Sequence, residues 1–184
     1  ISQCLFYNCD LNSNSYHIRT TESALFENNI IFGRIAAYYD ENCYSTCTFR
    51  NNTVITASNS KIFYSCTNCE IYNNIIINTD GKVTTNTVNQ ITDTTWNRDK
   101  TLSNLASCNV YNNILSSKSD ATYLNCIFNK SVEEVLIWNN ANTFEEKFKH
   151  LSNGPAVGAG VNGTTCGAYG VVNGSRAYQP AGIP

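Results

Sequence analysis

Nine cysteines, at positions 4, 9, 43, 47, 66, 69, 108, 126 and 166, are the residues of this chain with the widest chemical repertoire. Their odd number leaves at least one unpaired within the chain, which excludes a fully oxidised framework. Cys66 and Cys69 form a C-x-x-C pair, the spacing of a redox site or of half a zinc site. A zinc site needs a second half, and Cys43 with Cys47 leaves a looser gap. The two histidines, His17 and His150, have neither metal-ligand nor triad spacing. No metal and no cofactor is implied.

Carboxylates are the next candidates. Hydrolysis of a glycosidic bond needs two of them poised as acid and base across the bond, and none of the 14 acidic residues recurs as a column through the chain. Abstraction of a proton beside a uronate carboxyl needs a basic side chain among carboxylates. The densest such cluster is Asp93, Arg98, Asp99 and Lys100, and consecutive charges in a polar stretch describe a solvated loop. Neither a phosphate-binding glycine loop nor a G-x-S-x-G or H-E-x-x-H pattern occurs. No catalytic residue is assigned.

Aromatic residues offer binding instead. Tyr38, Tyr39, Tyr44, Tyr64 and Trp96 fall in connecting segments, where ring faces stack on sugars and neighbouring amides bond to hydroxyls. Tyr38, Tyr39, Trp96, Arg98 and Asp99 are therefore the candidate ligand-binding residues, and a polysaccharide or cell-surface glycan is the candidate partner. Charged residues make up 14% of the 184 and the net charge is −2, so the basic footprint of a nucleic-acid binder is missing. No run approaches the ~18 apolar residues of a membrane-spanning helix. The chain opens on Ile1 inside an apolar segment and has no methionine, the pattern of a piece of a longer protein.

The elements that hold these residues are legible from a repeat. "ALFENNIIF" from Ala24 recurs as "CTFRNNTVI" from Cys47, "CEIYNNIII" from Cys69 and "CNVYNNILS" from Cys108, with weaker copies "CLFYNCDLN" from Cys4 and "VLIWNNANT" from Val135. The first asparagines, Asn28, Asn51, Asn73 and Asn112, are 23, 22 and 39 residues apart. The long interval carries an insertion, placed at about 79–105. Ala24, Cys47, Cys69 and Cys108 fill one column, and Phe26, Phe49, Ile71 and Val110 the column two residues on, which is a strand with one buried face. The asparagine pair then marks a bend, since asparagine tolerates the left-handed conformation. A further apolar column, Ile31, Val54, Ile76 and Leu115, starts a second strand.

A period near 22 is too long for a hairpin and too short for a βαβ unit. It fits one coil of an all-β, right-handed, single-stranded parallel β-helix, a solenoid of about five to six coils stacked ~4.8 Å apart. Stacking turns the columns into ladders: Asn28, Asn51, Asn73 and Asn112 amide on amide, and Cys47, Cys69 and Cys108 as small buried side chains. The coils are placed at 1–153. Around 131–151 a short helical turn is expected, and 154–184, rich in glycine and alanine, is expected to be an irregular tail capping the stack.

"LSNGPAVGAGVNGTTCGAYG" resembles the closing signature of bacterial right-handed parallel β-helix proteins of the pectin-lyase-like superfamily, in which a short strand leads into "sPAigaG", a glycine-rich turn and "iGAyG". The matched residues are Gly154, Pro155, Ala156, Gly158, Gly160, Gly163, Gly167, Ala168, Tyr169 and Gly170, with His150 and Leu151 on the preceding strand. The resemblance implies a C-terminal portion of an extracellular or bacterial-surface protein. It does not imply one activity, because that superfamily spans lyases, hydrolases, adhesins and phage tailspikes. The preferred expectation is a non-catalytic domain for adhesion or carbohydrate recognition, monomeric or trimeric. A structural receptor-binding component of a phage tail, placed on the virion, and the end of a polysaccharide lyase or glycoside hydrolase are the alternatives.

Overall fold

In a computed structural model of the chain, residues 5–7, 23–32, 44–56, 66–78, 108–116, 123–172 and 175–176 are described. The molecule is predominantly β, with parallel sheets of short strands and little helix. Each full copy of the repeat folds as strand, bend and strand. The first strands are β2 (Leu25–Glu27), β5 (Thr48–Arg50), β8 (Glu70–Tyr72) and β10 (Asn109–Tyr111). They pair side by side as sheet A, parallel and in register, so that Phe26, Phe49, Ile71 and Val110 align. In each strand the middle residue is buried and its neighbours face outward, as a period of two requires.

The bend follows at once. Asn28, Asn51, Asn73 and Asn112 have φ of 58°, 52°, 57° and 52°, left-handed values that an asparagine adopts at less cost than other side chains. Thr46 and Asn68 also take positive φ, at 56° and 52°, five residues before Asn51 and Asn73. They join the two-residue strands β4 (Tyr44–Ser45) and β7 (Cys66–Thr67), themselves a parallel pair, to sheet A.

After the bend comes sheet B: β3 (Ile30–Phe32), β6 (Thr53–Thr56), β9 (Ile75–Asn78) and β11 (Ile114–Leu115), with β1 (Leu5–Tyr7) beside β3. The described side chains of β3, β6, β9 and β11 are buried on both faces of sheet B, Phe32 partly so. Ile31, Val54, Ile76 and Leu115 share a core with Phe26, Phe49, Ile71 and the column Ala24, Cys47, Cys69 and Cys108. Ile30, Ile55, Ile75, Ile77 and Ile114 point the other way, into a second core built with the C-terminal segment. Uninterrupted apolar runs such as Ile75–Ile77 belong to strands covered on both sides.

Between the sheets runs a ladder of amides, and it lies one residue later than the sequence suggested. The Nδ2 groups of Asn29, Asn52 and Asn74 donate to the Oδ1 of Asn52, Asn74 and Asn113 at 3.0, 3.1 and 3.0 Å. All four of these second asparagines are fully buried. The first asparagines, to which the ladder was assigned, supply the left-handed bend instead. The left-handed turn at the first asparagine points the two side chains apart, and it is the second whose amide faces its like in the next row.

Two weak copies of the repeat fold differently from their sequence alignment. Leu5–Tyr7 pairs with Ile30–Phe32 of sheet B rather than with Leu25–Glu27 of sheet A. The copy from Val135 is no strand–bend–strand unit: Val132–Val135 is a helical turn, α1, and Leu136 bridges His150 antiparallel. A further row of the parallel stack lies between, with Leu124 against Tyr111 and Ile127 against Ile114. Here Asn125 takes the bend at φ 54°, and Cys126 stands where Asn113 stands in the row before. Its Sγ accepts from the Asn113 backbone N–H at 3.4 Å, so a thiol ends the amide ladder.

The C-terminal segment covers the outer face of sheet B. Val132, Val135, Leu136, Phe148, Ala156, Cys166, Ala168 and Tyr169 pack on its isoleucines, and Phe32 sits among Trp138, Phe144 and Phe148 with ring centroids 5.7–5.9 Å away. A 3-10 turn at Glu145–Phe148 carries Phe148 inward. The glycine-rich stretch is irregular and fastened by hydrogen bonds to the bends. Asn73 Oδ1 accepts from Val161 N–H at 2.8 Å, and Asn112 Nδ2 donates to the Ala159 carbonyl at 2.8 Å. Val171–Val172 and Ser175–Arg176 then form a small antiparallel pair.

Candidate functional site

Among the described residues, the C-terminal segment covers sheet B, whereas the side chains on the outward face of sheet A are half-buried or exposed. Strict alternation puts two columns of side chains there. Register aligns Leu25, Thr48, Glu70 and Asn109 in one, and Glu27, Arg50, Tyr72 and Tyr111 in the other, which continues to Leu124 in the next row. Successive rows are ~4.8 Å apart, which brings column members of adjacent rows within reach of one another.

The second column is a connected set. Arg50 donates through Nη2 and Nε to Glu27 Oε2 at 2.6 and 3.0 Å, and through Nη1 to the Tyr72 hydroxyl oxygen at 3.2 Å. The Tyr72 and Tyr111 rings stack with centroids 5.0 Å apart and planes 7° from parallel. In the first column Asn109 Nδ2 donates to Glu70 Oε1 at 2.5 Å, and the Tyr111 hydroxyl bonds to Glu70 across the columns. The Arg50–Glu27 pair is half-open to water, which limits its stabilisation to under about 1 kcal/mol. Leu124 is 65% exposed and extends the face with an apolar surface beside Tyr111.

Protonation follows from these contacts. Hydrogen bonds to Tyr72 and then to Glu27 hold Arg50 above the ordinary guanidinium pKa against a smaller effect of burial. Burial, reinforced by the Glu70 hydrogen bond and charge, pushes the Tyr111 phenol up to about 12. A phenol raised in the folded state favours folding below its unfolded value, near 10, and that contribution is lost as pH rises through about 12. A step of phenolate ultraviolet absorbance is therefore expected near 12 in the folded protein and is expected to be lost in Tyr111→Phe. An unchanged titration in that variant overturns the assignment.

Tyr38, Tyr39, Trp96, Arg98 and Asp99, with the 79–105 insertion that holds three of them, fall outside the described residues. Cys47 and Cys69 are buried and Cys108 half-buried, all packed in the core beneath sheet A. Among the described residues, no three His, Cys, Asp or Glu side chains converge as a metal site. Burial raises the Cys166 thiol to about 12 and also raises that of Cys126. No helix among the described residues is long and apolar enough to cross a membrane.

Compared with protein-family models, curated proteins and solved structures, the chain matches none. Its chemistry is therefore read from its own surface. Glu27, Arg50, Tyr72 and Tyr111 escaped the sequence reading although each directly precedes an asparagine pair, in "ENN", "RNN", "YNN" and "YNN". Sharing a repeat position was the available signal: it makes them one outward column once the inward column is assigned.

Proposed function

We propose that the chain is a non-catalytic, surface-displayed domain that recognises carbohydrate, wound as a right-handed parallel β-helix of the pectin-lyase-like type and belonging to an extracellular or bacterial-surface protein. In-register parallel rows, a left-handed asparagine at each bend and the closing glycine motif support the winding. The stacked Tyr72–Tyr111 pair, next to Arg50–Glu27 along its column and beside Glu70–Asn109 in its own rows, carries the functional reading. A rigid row of phenol, amide, carboxylate and guanidinium groups presents hydrogen-bonding partners to sugar hydroxyls, and Leu124 adds an apolar surface for a sugar C–H face.

The same face is poorly suited to proton transfer. A general base works best with a pKa near the working pH, whereas Tyr111 stays protonated to about 12 and Arg50 is held charged. Binding is thus favoured over the lyase or hydrolase reading. In a glycan-array screen followed by calorimetry, the parent protein is expected to bind at least one class of oligosaccharide. Tyr111→Ala and Arg50→Ala are each expected to weaken that binding about tenfold, the loss of one or two surface hydrogen bonds. Absence of binding to any glycan, or unchanged affinity in both variants, overturns the proposal.

A further inference from the structure

We infer that the outward face of sheet A selects neutral sugars and rejects uronates, an inference that rests on the carbohydrate-binding reading and narrows it to a ligand class. Among the described residues, the sheet A face carries two carboxylates, Glu27 and Glu70, and one cation, Arg50. A sugar carboxylate is held best by the two-pronged edge of a free guanidinium. That edge is taken here. Arg50 Nε and Nη2 both donate to Glu27 Oε2, at 3.0 and 2.6 Å, and Nη1 is turned to the Tyr72 hydroxyl at 3.2 Å. A uronate arriving at this face must displace Glu27 from Arg50 and meets a net charge of −1.

Neutral sugars meet the opposite situation. An ionised carboxylate accepts several hydrogen bonds, and at Glu27 the recorded Arg50 bonds use Oε2. Sugar hydroxyls donate as well as accept, so a face that sets carboxylate acceptors beside two phenol hydroxyls suits them. Glu70 shares a row with Tyr72 and Glu27 lies two rows away beyond Arg50, so both carboxylates are within about 10 Å of the stacked rings, roughly a Debye length, where screening by salt is incomplete.

The test uses calorimetry on the full chain with glucohexaose, mannohexaose and hexagalacturonate, each run in EDTA and in calcium, and compares the parent with Glu27→Gln. A neutral hexasaccharide is expected to bind at least about tenfold more tightly than hexagalacturonate in both buffers. Glu27→Gln, which keeps the shape but releases Arg50, is expected to move that ratio about tenfold toward the uronate. Hexagalacturonate binding as tightly as the neutral sugars in either buffer, or a ratio unmoved in Glu27→Gln, overturns this inference while leaving carbohydrate recognition standing. Failure of every sugar to bind the parent protein overturns both.

Discussion

Asn74→Ala is expected to lower the stability of the protein by about 3–5 kcal/mol, read as a drop in the urea midpoint at unchanged slope. Asn74 sits mid-ladder and its side chain is used at both ends. Oδ1 accepts from the Asn52 backbone N–H at 2.9 Å and from Asn52 Nδ2 at 3.1 Å. Nδ2 donates to the Phe49 carbonyl at 2.9 Å and to Asn113 Oδ1 at 3.0 Å. Truncation takes these bonds from the Asn52 backbone N–H and the Phe49 carbonyl in the core, a lost partner costing about 1–3 kcal/mol, removes one of several bonds from Asn52 Nδ2 and Asn113 Oδ1, and opens a cavity as well. Cys126→Ala is the matching control. It removes the terminal sulfur, a weak acceptor at 3.4 and 3.8 Å from the Asn113 nitrogens, and is expected to cost about 1 kcal/mol. Equal losses in the two variants sink the view that the second asparagines carry the stack.

Gly167→Ala is expected to detach the C-terminal segment from sheet B, at a cost of about 2–4 kcal/mol. Gly167 has φ 92°, and a Cβ there meets Ile75 Cδ1 at 2.5 Å and Thr53 Oγ1 at 2.8 Å. The same stretch is fastened by Gly167 N–H to the Asn73 carbonyl at 2.8 Å and by Ala168 N–H to Thr53 Oγ1 at 2.9 Å. Displacement breaks both and uncovers the outward isoleucines of sheet B. Gly158→Ala separates backbone from packing: its φ is also positive, at 74°, but no atom lies within 4 Å of the added carbon. It is expected to cost only the left-handed penalty, about 1–2 kcal/mol. The measurements are the melting temperature and the rate of proteolysis within 154–170. Similar behaviour of the two variants refutes close packing at Gly167.

Much of the scaffold was legible because its determinants are local. Alternation around Phe26, Phe49, Ile71 and Val110 specifies a strand with one buried face, and each asparagine pair specifies a bend, whatever lies across the chain. The amide ladder needed one more piece of information, which of two adjacent asparagines enters the core. The position of the left-handed residue decides that, with φ 52° at Asn51 leaving Asn52 to turn inward. The row at Leu124 and Ile127 went unrecognised because it has Asn125–Cys126 in place of the asparagine pair and begins after a much shorter interval. Similarity search rewards identical letters, whereas stacking needs only the same backbone bend and a small side chain that accepts a hydrogen bond.

Leu5–Tyr7 makes the same point in reverse. Its residues match the first strand of the repeat by letter, yet its backbone pairs with the second. Short apolar strands carry little register information of their own. The candidate site followed a similar path: Tyr72 and Tyr111 are ordinary outward positions in isolation, and they form a stacked pair only because residues 39 apart lie in adjacent rows.

Repeat period, strand alternation and bend chemistry could be read from the amino acids alone, since each depends on the conformational preferences of a few neighbouring residues. Folding in three dimensions settled which asparagine is buried, that the glycine-rich segment lies along sheet B, and that Glu27, Arg50, Tyr72, Tyr111 and Glu70 meet on one face. Those outcomes depend on contacts between residues far apart in the chain, whose energies exist only once the rows have been brought together.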